Sequence, residues 1–283
     1  MIQPMSFALI LATIGKTDEL RRFLTSVEAP REHPVEVFVV DQNDDDRLTP
    51  VLDLFDDRLR LIRLHSEPGL SRARNAALPL VHGDFVGFPD DDCLYPPSLL
   101  DTVARWFSTH PGFAGLTGRA VDPAGRSYAR FDKEAGPLTP RNAWQRAASF
   151  TMFFRREAIQ RIGGFDETLG LGSGTPWEGG EDIDYPLRAI GAGLEVFYLP
   201  EIVVVHPNPF AKGYADSSER ALKYGLGIGR VWRKHRFPLW QVVYHLARPL
   251  GGAVTGLAQG RPQKAKYHLS AFRGRLLGWL SRT

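Results

Sequence analysis

The sequence predicts an α/β protein: a mostly parallel, mixed sheet flanked by helices, followed by a helical C-terminal extension. Two observations carry this. Short apolar runs alternate with helix-period segments through the first two thirds of the 283 residues, and strand–helix alternation builds a parallel sheet covered on both sides. Beyond Glu219 the chain has no acidic residue, and its aromatic and apolar residues interleave with Lys and Arg, the composition of amphipathic helices.

The first strand is expected at 7–12. Its apolar run has no basic region before it and no small-residue cleavage site after it, so it reads as a strand and not a signal peptide. A helix-period segment follows at 19–27, with strands at 35–41 and 59–64. Pro68-Gly69 marks a turn, Ser71 can cap the helix expected over 70–80, and Arg72 and Arg74 fall in its first turn. The fourth strand, 85–88, runs into Asp90-Asp91-Asp92. Pro96-Pro97 then precede a helix at 98–110, whose Leu99, Leu100, Val103, Trp106 and Phe107 share one face. Strands at 115–119, 151–154 and 194–198 complete the sheet. The glycine-rich "LGLGSGTPWEGGED", 169–182, predicts a mobile loop running into a helix.

Composition is that of an ordinary globular protein, 43% hydrophobic and 24% charged, long enough for one large core or a core with an appendage. The lone Cys93 excludes an internal disulfide and a cysteine-based zinc site, and agrees with a reducing compartment. The net charge of +3 hides an asymmetry: 13 Lys and Arg follow Glu219, while residues 1–219 hold 22 basic against 32 acidic side chains. An acidic body with a basic, aromatic-rich end argues against a nucleic-acid partner and for a catalytic domain whose C-terminal part meets an anionic surface. No stretch reaches the ~18 uncharged apolar residues of a membrane span. The longest candidate, 237–260, is interrupted by His245 and Arg248.

In such sheets ligands bind beyond the carboxyl ends of the strands, where this chain puts Thr13, Asp41 and Asp90-Asp91-Asp92. Three adjacent carboxylates offer hard oxygen ligands for Mg²⁺ or Mn²⁺ shared with a diphosphate; the alternative is a solvated turn capping the next helix. In "GGEDIDYPLRA", Pro186 belongs in a first helical turn, which sets Glu181, Asp182 and Asp184 at or just before the helix N-terminus. The dipole there favours an ionised carboxylate, available as a general base or simply as a cap. His206 follows an apolar run, either as a satisfied strand-end histidine or, near the three Asp, as a metal ligand or diphosphate contact. Trp177 offers a flat face to a sugar ring or an anchor for the loop.

Six segments in register resemble the family 2 glycosyltransferases, which have the GT-A nucleotide-diphospho-sugar transferase fold. They are the first strand ending near Thr13, "VFVVDQNDDD", "GLSRARNAAL", "GDFVGFPDDDC", "GGFDE" and "GGEDIDYPLRA". The resemblance implies a catalytic domain over 1–212, with 213–283 as a basic, amphipathic, possible membrane-associating region. It implies nucleotide-sugar contacts from Thr13, Asp41, Arg74 and Asp90, a metal contact from Asp92, and Asp182 as catalytic base with Glu181 beside it. Asp91, between the two ends of the motif, is grouped with the nucleotide-sugar contacts, while His206 at the metal and Trp177 toward the acceptor rest on the residue readings above. Where relatives often carry Asn-Arg, this chain has Gly15-Lys16, so that nucleotide contact is expected to be either altered or supplied by Lys16. The Gln-x-x-Arg-Trp motif of processive synthases is absent, and one sugar per encounter is expected.

The resemblance thus implies an inverting, Mn²⁺- or Mg²⁺-dependent transfer from a nucleotide-diphosphate sugar, expected to be UDP-linked, to a glycan or lipid-linked acceptor. The place implied is the cytoplasm, peripheral to the inner face of the cell membrane. The C-terminal apolar residues could instead pack on the catalytic domain or on a second copy. Two alternatives stand beside this function: an inactive nucleotide-sugar-binding scaffold, and a sugar nucleotidyltransferase, disfavoured because "ATIGKTDEL" is poor in glycine and basic residues.

Overall fold

The computed structural model describes residues 5–28, 32–209, 211, 214 and 217–281; the domain boundary expected at 212/213 lies outside them. In chain order the elements are β1 (Phe7–Thr13), α1 (Asp18–Glu28), β2 (Val35–Asp41), α2 (Thr49–Leu52), β3 (Arg60–His65), α3 (Leu70–Ala77), β4 (Phe85–Gly87), α4 (Leu99–Thr109), β5 (Gly115–Val121), β6 (Gly136–Pro137), α5 (Ala143–Arg146), β7 (Phe153–Arg155), α6 (Arg156–Ile162), α7 (Glu181–Gly191), β8 (Val196–Val205), α8 (Ser218–Lys234), α9 (Leu239–Ala258) and α10 (Pro262–Leu280). The eight strands form one mixed sheet in the order β3-β2-β1-β4-β7-β5-β8-β6.

The chain divides into two compact units. The first comprises the residues up to Pro68, Arg72–Phe165 and Tyr185–Asn208; the second comprises Gly69–Ser71, Asp166–Asp184 and the chain from Pro209 on.

The first unit holds the sheet. β1 lies between β2 and β4, parallel to both, and its Phe7, Leu9 and Leu11 are fully buried with Val37, Val39, Phe85, Leu100, Val103 and Phe107. Apolar residues fill both faces of these strands because helices cover both faces, which is why the runs read as continuous rather than alternating. Register then fixes the site. Thr13 pairs with Asp41 across β1 and β2, and Ala12 pairs with Asp90 through an isolated parallel bridge, so three strand exits end level. A second bridge, Leu94 with Val205, brings the residue after β8 alongside the segment after β4. β8 runs past Pro200, further than its apolar run predicts, because β5 shifts register between Thr117 and Arg119 and the Arg119 Nε donates to the Pro200 carbonyl at 2.8 Å.

The second unit is helical. α8 and α10 pack through glycines. A Cβ on Gly229 would stand 2.1 Å from the Arg275 carbonyl, and one on Gly278 would stand 2.0 Å from that of Leu226. Backbones meet where side chains would normally separate them. Among the described residues no helix is long and apolar enough to cross a membrane.

Candidate active site

The three aspartates after β4 each meet a cation, and each differently. Arg74 donates from Nη2 to Asp90 Oδ1 at 3.1 Å and to the Ser149 hydroxyl at 3.0 Å. Its guanidinium is fully buried, with Phe165 5.2 Å beneath it. The structure therefore places Arg74 under Asp90, inside the protein. Asp91 spends both oxygens on neighbours, accepting from the Thr13 hydroxyl at 2.8 Å and the Lys16 ammonium at 2.8 Å. Asp92 accepts from Lys16 at 2.9 Å and lies 3.1 Å from His206 Nε2. The repulsion of three consecutive anions is thus relieved by Arg74, Lys16 and His206.

These partners act against desolvation. Burial would lift Asp92, but hydrogen bonds from His206 and Lys16 outweigh it and hold its carboxyl below the usual range. At Asp90 and Asp91 burial prevails and raises them, against Arg74 and Lys16 respectively. Burial would lower Lys16, yet the Asp91 and Asp92 carboxylates raise it. His206 likewise loses to burial but gains more from Asp92 and Asp90, and ends raised.

Asp90, Asp92 and His206 each point one ligand atom inward, all within 4.8 Å of one another. Two carboxylate oxygens and an imidazole nitrogen are a donor set for a small divalent cation. His206 is prepared for it: Nδ1 lies 2.8 Å from the Pro207 carbonyl, so a proton held there leaves Nε2 toward the carboxylates, and Phe150 stacks on the ring at 4.6 Å. A backbone acceptor behind a histidine commonly fixes the tautomer that binds metal. The residues present fit the ion.

Beside this cluster, Asp41 is buried and saturated. Asn43 donates to Oδ1 from its backbone and side chain, and Arg63 donates to Oδ2 from Nε and Nη2, at 3.1 and 2.7 Å. Asn43 also accepts from the Gly15 amide at 2.7 Å. Asp41, Asn43, Asp44, Asp46, Arg63 and His65 are among the residues lining a cleft of about 560 Å³, within the range of small-ligand sites. Sequence reasoning missed Asn43, Arg63 and Ser149. Asn43 stood within "DQND", two residues from the singled-out Asp41, whereas nothing in the sequence ties Arg63 to Asp41 across 22 positions.

The remaining predicted residues belong to the second unit. Glu181, Asp182 and Asp184 all lie in the first turn of α7. Pro186 sits deeper than a first turn, as the sixth residue of the helix. Asp184 is buried, with Lys234 Nζ and His235 Nε2 each 2.8 Å from its Oδ1. Burial raises the Tyr224 phenol, against Arg220, and the nearby Glu181 and Asp182 charges add to the rise. Trp177 carries the Arg230 guanidinium over one ring face at 4.5 Å. The loop expected to be mobile is tied down: Gly170 donates to the Trp177 carbonyl at 3.0 Å, and Thr175 to that of Thr168 at 2.7 Å. Its glycines serve tight geometry, as at Gly180 with φ +92°.

A family model described as "Glycosyl transferase family 2" matches residues 9–163, more than half of the chain. The chain belongs to that family. Among named relatives, the Pre-mycofactocin glycosyltransferase of Mycobacterium tuberculosis is 30% identical over 155 residues, 51% of this chain and 31% of that protein, so the chain spans under a third of that relative's length. The N-acetylglucosaminyl-diphospho-decaprenol L-rhamnosyltransferase of the same species is 26% identical over 254 residues, covering 75% of this chain and 79% of the relative. Mannosyltransferase PcManGT from Pyrobaculum calidifontis, solved with GDP-Man and Mn²⁺, superposes with a TM-score of 0.65 at 17% identity over 99% of this chain and 88% of that one. S. aureus TarS 1–349 gives 0.60 at 17% identity over 94% and 90%. The family 2 chain has the GT-A fold, with its mostly parallel sheet flanked by helices and helices after the last strand.

Proposed function

We propose that this family 2 chain transfers a single sugar, with inversion, from a UDP-linked donor to a hydroxyl of a glycan or lipid-linked acceptor. The observation that carries the proposal is the convergence of Asp90, Asp92 and His206 within 4.8 Å, at strand exits level with Asp41. Asp92 and His206, with Asp90, would hold Mn²⁺ or Mg²⁺. Bound there, such a cation supplies Lewis acidity to a diphosphate leaving group.

The chain's own residues do the rest. Asp41 acts at the nucleoside cleft through Arg63 and Asn43, whose side chains its two oxygens hold in place. Lys16, which keeps 41% of its side chain exposed while bridging Asp91 and Asp92, is the cation available to the donor phosphates. Thr13 and Arg74 act from behind, orienting Asp91 and Asp90. Asp182 takes the proton of the acceptor hydroxyl as its oxygen bonds to the anomeric carbon; the bond from that carbon to the phosphate oxygen breaks, and the nucleoside diphosphate departs. Glu181 and Trp177 flank that carboxylate in sequence and are assigned to acceptor support. Structures of TarS with UDP-GlcNAc and with UDP and the relative named for a diphospho-decaprenol acceptor support these substrate classes.

Contact with an anionic membrane surface at the inner face of the cell membrane is part of the proposal. α9 supports it by being built inside out. Gln241, Val242, His245, Pro249, Ala253 and Gly256 face inward, whereas Leu239, Trp240, Val243, Tyr244, Leu250, Val254 and Leu257 are exposed within an arc of about 140°. Such a face, in a segment whose only charges are positive, fits the interface of an anionic bilayer.

The test is Asp182→Asn in the full chain. We expect turnover of a sugar nucleotide with Mn²⁺ to fall by about 100-fold or more while UDP binding, measured by calorimetry, survives. A variant that keeps most of its turnover sinks the base assignment. A wild type that binds UDP but turns over no donor is a scaffold.

A further inference from the structure

We infer that α8 is the positioning element of the reaction: one face of this helix grips the segment that delivers Asp182, and Lys234 and Gly227 set that carboxylate through the backbone without touching substrate. The inference rests on the reading of Asp182 as base.

The contacts form one stripe, at helical spacing. Lys223 Nζ lies 3.1 Å from Glu178 Oε1. Tyr224 packs on Gly179, where an added Cβ would stand 3.2 Å from its ring. One turn on, a Cβ on Gly227 would stand 1.9 Å from the Gly179 carbonyl oxygen, so helix and loop backbones touch there. Arg230 covers Trp177 at 4.5 Å, and Val231 closes on Gly180, whose own Cβ would stand 2.8 Å from it. At the helix end Lys234 bridges Asp184, at 2.8 Å, and Asp166, at 2.6 Å, while His235 Nε2 lies 2.8 Å from the same Asp184 oxygen. Residues 177, 178, 179, 180 and 184 are thus held individually on both sides of Asp182.

The opposite face of the same helix does different work. Gly225 and Gly229 meet α10, where added Cβ atoms would stand 2.9 Å from the Ala271 carbonyl and 2.1 Å from that of Arg275. Two faces with equally close backbone contact allow strain of the same kind to be introduced toward the loop or away from it.

The experiment uses the full chain with Mn²⁺ and four donors: UDP-N-acetylglucosamine, UDP-glucose, GDP-mannose and dTDP-rhamnose. Released nucleoside diphosphate is measured with the donor that wild type turns over fastest. Gly227→Ala should lower kcat about 100-fold with KM for the donor within about threefold, because a misplaced base costs the transition state and not donor binding. Gly229→Ala, strained toward α10, should lower the melting temperature at least as much yet leave kcat within about fivefold. Should Gly227→Ala not fold, Lys234 keeps the test open, since its side chain is 27% exposed. Lys234→Ala should lower kcat about 10-fold, Lys234→Arg should recover most of it, and Lys234→Ala added to Asp182→Asn should cost less than about twofold, since residues acting as a unit are not additive.

A Lys234→Ala enzyme with wild-type kcat, or a loss equally large without the Asp182 carboxyl, overturns the inference. So does a kcat that falls alike in the Gly227 and Gly229 variants. An active Asp182→Asn variant points at the base assignment instead, and a wild type inert toward all four donors removes the transferase reading and this inference with it.

Discussion

The two units of the molecule solve opposite problems. In the first, charge is concentrated at strand ends above an apolar core, and every singled-out carboxylate there is matched: Asp41 to Arg63, Asp90 to Arg74, Asp91 to Lys16, Asp92 to Lys16 and His206. In the second, polarity is turned around. α9 buries Gln241 and His245 and exposes seven large apolar side chains, while α8 and α10 adhere through glycine backbones. The lesson is that hydrophobicity reports the core only where the protein supplies its own covering layer. Where something else supplies it, the same pattern reads backwards.

The two units differ most at α9. Replacing Trp240, Val254 and Leu257 together by Ser should cut binding to vesicles with about 30% anionic lipid by roughly 100-fold, taking about 1 kcal/mol for each half-inserted side chain. Melting temperature should hold or rise, because these groups are 59%, 66% and 64% exposed. Flotation with anionic and with neutral vesicles measures it. Unchanged flotation sinks the membrane face, and a wild-type dimer in sedimentation that the variant dissolves would assign the face to a second copy.

How much of this was legible differs by unit for a physical reason. Strand 35–41 is read from the sequence without error, and helix 98–110 becomes Leu99–Thr109, since a covered sheet imposes apolar runs and a half-buried helix imposes a 3.6 period. The Asp90-Asp91-Asp92 exit was legible from its position after β4, and His206 from its place at the end of an apolar run, whereas the base role assigned to Asp182 comes from resemblance. What could not be read was pairing: Lys16 lies 75 residues from Asp91, and only the register of β1 against β4 makes them neighbours. The role of α8 was hidden because its signal is an absence. "YGLGIG" reads as weak helix, yet Gly227 and Gly229 are what allow the loop and α10 to touch it.

Within the acidic triplet the carboxylates have unequal tasks. Asp92→Ala should weaken metal-dependent UDP binding about 10- to 100-fold, followed by calorimetry with and without EDTA. Asp91→Asn should leave that metal dependence in place and instead lower stability by about 1–3 kcal/mol, because both Asp91 oxygens are already bound to Thr13 and Lys16. Equal loss of metal dependence in the two variants would mean the triplet acts as one undifferentiated patch.

The smallest effect separates the units by sign. Burial, reinforced by the Arg275 and Arg248 charges, lowers the His245 imidazole to about 4, whereas its unfolded value is near 6.5. Between those values the unfolded chain binds a proton that the native chain refuses, so stability rises with pH there. The contribution is complete above about pH 6.5 and is lost as pH falls toward 4, at most about 3 kcal/mol. His206 in the first unit is raised, with Asp92 and Asp90 outweighing burial, and has the opposite sign. Its contribution is complete below about pH 6.5 and disappears as pH climbs through its native value. Melting curves in EDTA from pH 4.5 to 8 should therefore diverge. Relative to His245→Gln, wild type should lose several degrees on acidification, at roughly 2–4 °C per kcal/mol. Relative to His206→Gln, it should lose its advantage on the alkaline side. Parallel curves for either variant would remove the electrostatic contrast between the two histidines, since an imidazole whose protonation is indifferent to folding cannot tilt stability with pH.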